Sequence, residues 1–225
     1  MNIGVIPARL NSTRLSEKIL IQIGGIPMII QVYRQVLKAK KLDKVIVAID
    51  DEKTQNELKK FDVPGVMTSN FHQSGTDRIA EALKDEDTDI VVNIQGDEPE
   101  IEPELIDDLV SLFENSDTEM GTAVTSDLTV EDFENPDVVK VQINEKGLAV
   151  NFSRQPITGK RIFRHIGIYA FKTHILEKFI QLPPSNREKE KKLEQMRALD
   201  NEIPIHTIIT DYKVAELIIL KILND

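Results

Sequence analysis

The sequence predicts an α/β fold: a mixed, mainly parallel sheet with flanking helices. Two observations carry that expectation. The runs Lys44–Ile49 and Asp89–Ile94 are β-branched and lack polar alternation, as strands covered on both faces do. Helical patterns lie between such runs, and strand–helix–strand alternation implies right-handed βαβ crossovers.

The elements follow in order. Ile3–Pro7 is a short apolar strand, and a polar loop from Ala8 to Ser16 succeeds it. Pro27 is expected at the first position of a helix, where its missing N–H costs nothing. Ile29, Ile30, Tyr33, Val36 and Leu37 then share one face. Glu52–Phe61 and Thr76–Lys84 read as further helices, with Thr76 a candidate cap. Met120–Thr125, Val138–Ile143, Ala149–Phe152 and Arg164–Phe171 read as strands of a less regular second half. Lys172–Leu182 is helical and stops before Pro183 and Pro184. Arg187–Leu199 reads as one charged helix, Ile205–Thr210 as a strand and Tyr212–Leu223 as a final helix. Mixed patterning in the second half implies antiparallel additions to the sheet.

A length of 225 residues suits one domain, or one domain with a subdomain. Neither a repeat nor a Gly/Ser-rich linker divides it, so residues 1–225 are expected as one domain. The absence of cysteine excludes disulfides, thiolate metal sites and cysteine nucleophiles, and makes a reducing cytoplasm the expected location. Acidic residues outnumber basic ones, 38 to 28, for a net charge of −10. That balance argues against nucleic acid and anionic membranes as partners. No apolar stretch approaches the ~20 residues of a membrane helix, and Arg9 interrupts any signal-like run at the N-terminus.

Three segments carry the chemistry. The loop Pro7–Lys18 holds Arg9, Arg14 and Lys18 with serine and threonine hydroxyls, directly after the first strand. Ligands of open α/β sheets bind beyond the carboxyl ends of strands, so this is either an anion cradle or a solvated turn. It has neither a Walker A nor a GxGxxG pattern. Gln95-Gly96-Asp97-Glu98-Pro99 ends a buried strand, where a carboxylate is well placed for Mg²⁺. His72-Gln73-Ser74-Gly75-Thr76-Asp77-Arg78 offers backbone amides at a helix start. In the second half, Arg154, Arg164, His165 and Tyr169 stand among strands, and Glu194 and Gln195 lie in a charged helix. Four scattered histidines form neither a Ser-His-Asp triad nor a zinc spacing.

The stretches VIPARLNSTRLSEK, GGIPMI, HQSGTDRIAE, IVVNIQGDEP, NPDVVKV, NFSR, FRHIGIYAF and LEQMRAL run from residue 3 to about residue 200. In that order they resemble the 3-deoxy-manno-octulosonate (Kdo) cytidylyltransferases. The resemblance implies a Rossmann-like nucleotidyltransferase fold, a sugar-binding and dimerisation subregion over about 120–200, Mg²⁺ as cofactor and a homodimer. It implies that CTP and Kdo give CMP-Kdo and pyrophosphate, the step that activates Kdo for lipopolysaccharide synthesis. Carried over by motif, Arg9, Arg14 and Lys18 grip the CTP phosphates, while His72, Gln73, Ser74, Gly75, Arg78 and Gln95 line the nucleotide and sugar pocket. Asp97 binds the metal, and Arg154, His165, Tyr169, Glu194 and Gln195 hold the acid sugar. The family's VDTPEDL-like motif is absent after residue 205, which leaves Asp211 as the nearest candidate for a second metal ligand. Two alternatives accompany this reading: a related acid sugar such as 8-amino-Kdo, or a catalytically impaired nucleotide-binding relative.

Overall fold

The computed structural model describes residues 1–10, 17–72 and 74–212. Arg14, Gln73 and the final helix expected after Tyr212 lie outside them. The described chain divides into two compact units, residues 1–88 with 93–107 and residues 89–92 with 108–212.

The first unit opens with β1 (Asn2–Ala8), then a tight hairpin of β2 (Gln22–Ile23) and β3 (Ile26–Pro27). Its turn is Gly24-Gly25, both at positive φ, which glycine adopts without a Cβ clash. Helix α1 (Met28–Val36) begins one residue later than expected. Pro27 is its cap, held extended by pairing with Gln22, so it cannot also start the helix. Met28, Ile29, Ile30, Val32 and Val36 are buried, whereas Leu37 is exposed at the helix end. Next come β4 (Lys44–Ile49), α2 (Glu52–Lys59), β5 (Gly65–Met67) and α3 (Gly75–Ala82). β1 pairs β4 in parallel from Ile3↔Lys44 to Ala8↔Ile49, and β4 pairs β5 in parallel. Val5, Ile6, Val47 and Ile49 are wholly buried, as two-sided coverage of the sheet requires. Asp51 caps α2 by accepting from the Thr54 N–H at 3.0 Å.

Ile90–Asn93 is β6, and Pro103–Ser111 forms α4. The second unit continues with β7 (Met120–Thr125), α5 (Val130–Glu134), β8 (Lys140–Ile143), β9 (Ala149–Ser153) and β10 (Ile162–Lys172). Then follow α6 (Thr173–Gln181), α7 (Asn186–Lys191), α8 (Gln195–Asp200) and β11 (Ile205–Thr210). Its strands run in the order β11-β7-β10-β6. β11 pairs β7 in parallel, while β10 is antiparallel to both β7 and β8, and β8 is antiparallel to β9. The antiparallel additions expected in the second half are therefore present.

The single helix expected over Arg187–Leu199 is two. Lys192 takes a left-handed conformation, φ 54°, at the end of α7 and breaks the run. Arg197 then binds Glu188 bidentately, at 2.8 and 2.6 Å, and lies 4.8 Å above the Phe179 ring, which fixes α8 beside α7 and α6. A left-handed lysine bears a steric cost that glycine avoids. Lys192→Gly is expected to stabilise the fold by about 0.5 kcal/mol, read as a rise of a degree or two in thermal midpoint; a lower midpoint would contradict this account of the break.

Candidate active site

The strand ends of the first unit gather its polar residues. Arg9 follows β1 directly and is exposed. The Lys18 Nζ reaches the Asp97 carboxylate at 2.5 Å; the lysine side chain is largely buried and the aspartate 41% exposed. The Ile94 N–H donates to the Val5 carbonyl at 3.0 Å, which places the Gln95–Pro99 segment beside the end of β1. Gly96 permits that approach, because a Cβ there would sit 3.2 Å from the Pro7 carbonyl oxygen. Gln95 is half-buried on this segment. Burial and the neighbouring Asp97 carboxylate push Glu98 up to about 7, against the pull of Lys18.

A cavity of about 370 Å³ opens between Arg9, Leu10, Asp50, Asp51, Asn70, His72 and Arg78. Its floor is a hydrogen-bonded chain. Asp50 accepts from the Leu10 N–H at 3.1 Å and from Arg78 at 2.9 Å. Arg78 also donates to the Thr68 hydroxyl at 2.7 Å, which in turn donates to the Ile49 carbonyl at 2.7 Å. Arg78 is only 3% exposed, so it lines the cavity with its charge already paired. His72 bonds the Glu81 carboxylate, whose pKa falls chiefly through the Ser69 N–H and then through His72. The cap of α3 is Ser74 rather than Thr76: the helix starts at Gly75, Ser74 accepts from the Asp77 N–H at 3.1 Å, and Thr76 is buried. Gly75 is exposed at the first turn.

The second unit holds the other group. His165 and Tyr169 lie on β10 either side of a bulge between Ile166 and Tyr169, with ring centroids 5.3 Å apart. The bulge lets the Thr122 hydroxyl reach both the Ile168 carbonyl, 2.7 Å, and His165 Nε2, 3.0 Å. A hydroxyl carries one proton, and Thr122 gives its proton to Ile168. His165 therefore donates through Nε2–H, and its Nδ1 is the acceptor. Burial pushes the His165 pKa down to about 3, so the ring is neutral. The Tyr169 hydroxyl is buried without a hydrogen-bond partner among the described residues. Burial, and then the Glu194 carboxylate, hold its pKa well above the usual phenol value. Glu194 is half-buried and Gln195 buried at the start of α8, not on a solvated helix face. Arg154 follows β9, half-buried, with its Nη1 3.3 Å from the Pro136 carbonyl. Arg164 is paired with Asp132 at 3.0 Å. Asp211 is exposed one residue beyond β11.

Sequence reading missed Asp50, Thr122 and Lys140. The signal for Asp50 was its place at the end of a buried strand run, and for Lys140 a lone cation inside Val138–Ile143. Thr122 left no signal within an ordinary strand.

Cations and a carboxylate thus stand at the strand ends of the parallel unit, where open α/β sheets bind their ligands, and the mixed unit holds a polar aromatic cluster. A profile of the cytidylyltransferase family matches residues 3–205. The chain belongs to the 3-deoxy-manno-octulosonate cytidylyltransferase family. The 3-deoxy-manno-octulosonate cytidylyltransferase of Chloroherpeton thalassium is 44% identical over 218 residues, 92% of this chain and 88% of the relative. That of Geotalea daltonii is 40% identical over 227 residues, 93% of this chain and 90% of the relative. A solved CMP:2-keto-3-deoxy-manno-octonic acid synthetase complexed with CTP matches with a TM-score of 0.88 at 35% identity, covering 93% of this chain and 89% of that one.

Two predictions follow from the local geometry. Asp50→Ala strands the buried Arg78 charge and is expected to cost about 3 kcal/mol in denaturant unfolding; a loss near zero would contradict the chain of bonds. The native state keeps His165 neutral down to about pH 3, whereas the unfolded imidazole titrates near 6.5. Between those values the unfolded state binds the extra proton, so stability falls as pH drops through this window. His165→Gln is expected to flatten that fall in urea midpoints between about pH 7 and pH 5; an equal fall in both proteins would contradict the neutral, buried ring.

Proposed function

We propose that this chain transfers the cytidylyl group of CTP to Kdo, forming CMP-Kdo and releasing pyrophosphate. The observation that carries the reading is 44% identity, across 92% of the chain, with a 3-deoxy-manno-octulosonate cytidylyltransferase. The anomeric hydroxyl of the sugar attacks the α-phosphorus of CTP and loses its proton; the bond from that phosphorus to the pyrophosphate oxygen breaks. No covalent enzyme intermediate is needed, so the residues act by alignment and charge neutralisation.

Arg9, Arg14 and Lys18 meet the triphosphate oxygens, and Lys18 offsets the charge that grows on the leaving pyrophosphate. The ligands His72, Gln73, Ser74 and Gly75 offer suit the base and ribose, and Asp50 and Arg78 form the floor of the cavity beside Arg9. Gln95 adds an amide on the segment beside β1. Asp97 fits Mg²⁺: its carboxylate is 41% exposed at a strand end, and Mg²⁺ is commonly held by one or two carboxylates together with substrate phosphates and water. When bound, Mg²⁺ supplies positive charge to the phosphate oxygens at the α-phosphorus. Lys18 gives up Asp97 and turns to phosphate as the nucleotide enters. Asp211, exposed after β11, is the candidate for a further oxygen ligand.

In the second unit a buried phenol donor and a neutral imidazole acceptor suit the hydroxyls of a sugar. Glu194 and Gln195 add acceptor and amide groups, and Arg154 pairs with the sugar carboxylate. The enzyme acts in the cytoplasm as a homodimer and supplies activated Kdo to lipopolysaccharide assembly. No helix among the described residues is long and apolar enough to cross a membrane.

Kinetics of two variants test the assignment. Asp97→Asn is expected to lose about a hundredfold or more in kcat while keeping its thermal midpoint. Tyr169→Phe is expected to raise KM for Kdo about tenfold and leave KM for CTP unchanged. Normal turnover by Asp97→Asn would remove the metal role, and an unchanged KM for Kdo in Tyr169→Phe would remove the sugar role.

A further inference from the structure

Lys140 sits on β8 and is wholly buried, 0% exposed. Its Nζ donates to three main-chain carbonyls: Val138 at 2.8 Å, Asn135 at 3.0 Å and Arg154 at 2.5 Å. An ammonium has three protons, so every donor is used. No carboxylate is among these partners; Glu134 and Asp132 act on the charge only from a distance. Removing an ammonium from water is costly, and an apolar side chain at this strand position would pack at lower cost. What such a side chain would lose is the convergence of the three carbonyls.

That convergence concerns Arg154. Lys140 stands opposite Ser153 in the β8–β9 register, one residue before Arg154. The Arg154 guanidinium donates to the Pro136 carbonyl, within the turn whose Asn135 and Val138 carbonyls Lys140 also holds. The main chain and the side chain of Arg154 are thus both referenced to one turn, and Lys140 is the point that joins them.

We propose that Lys140 is a positioning residue of the acid-sugar site: its buried ammonium fixes the Arg154 main chain and the 135–138 turn, so that the guanidinium is presented to the sugar carboxylate. The inference rests on the assignment of Arg154 to that carboxylate. Lys140 touches no substrate and acts through Arg154. A lysine that merely held a turn would affect stability and leave sugar affinity alone.

The test is steady-state kinetics of the full-length enzyme with CTP, Kdo and Mg²⁺, for Lys140→Met, Arg154→Ala and the double variant. Lys140→Met is expected to raise KM for Kdo about tenfold while KM for CTP stays within about twofold. In the Arg154→Ala background the same change is expected to add almost nothing, because the group it positions is gone. Val141→Ala, a buried neighbour on the same strand, controls for destabilisation and is expected to leave KM for Kdo unchanged. Should Lys140→Met fail to fold, Lys140→Gln, whose amide offers two N–H donors for three carbonyls and no charge, carries the same comparison. A folded Lys140 variant with unchanged KM for Kdo, or losses that add in the double variant, would overturn the proposal. If Arg154→Ala alone leaves KM for Kdo unchanged, the Arg154 assignment itself fails, an outcome distinct from additive losses.

Discussion

The first unit depends on one carboxylate. Asp50 stands at the end of β4 and receives two donors from different parts of the chain: the Leu10 N–H, next to Arg9, and the Arg78 guanidinium of α3. Through Arg78 and Thr68 the same chain of bonds reaches the start of the loop after β5. The ends of parallel strands thus acquire a common polar floor, and the loops that rise from it begin at fixed points. A buried guanidinium would be costly without this partner. With it, the charge is balanced, and Arg9 stands exposed beside the Leu10 anchor.

Charge is managed differently in the second unit. Arg197 and Arg164 are spent on Glu188 and Asp132, and Lys140 on main-chain carbonyls. The aromatic cluster itself is uncharged, a phenol with a proton to donate and an imidazole whose tautomer is set by Thr122, with the Glu194 carboxylate acting on the phenol. Such groups discriminate hydroxyl patterns by hydrogen bonding, since a ligand that lacked the matching hydroxyl would leave them unpaired. In the proposed reading the strand-end cations of the first unit meet the triphosphate, and the phenol and imidazole of the second, with Arg154, meet the polyhydroxylated acid.

Much of the fold was legible from the sequence because covered parallel strands leave a plain signal. β4 and β7 fall on the bounds expected for them, and the antiparallel character of the second half followed from its mixed pattern. The errors have local causes. The 187–199 segment reads as one helix, because a left-handed lysine leaves no mark in composition. Thr76 resembles a cap, but Ser74 precedes the true helix start, and Gly75 is tolerated in the first turn. β5 is too short, at three residues, to show a period. The candidate site residues were assigned by resemblance, residue by residue. Their supports were not: the burial of Arg78 and the roles of Asp50 and Thr122 arise from pairings remote in sequence, 28 residues apart for Arg78 with Asp50, 40 for Leu10 with Asp50 and 43 for Thr122 with His165.

The most direct measurement is pyrophosphate release by the purified protein with CTP, Kdo and Mg²⁺, each omitted in turn, and with other nucleoside triphosphates and acid sugars substituted one at a time. The account predicts release only when all three are present, with CTP preferred over the other triphosphates and Kdo over the other acid sugars. Release without the sugar, equal release with any triphosphate, or none from a folded protein that binds CTP would contradict it.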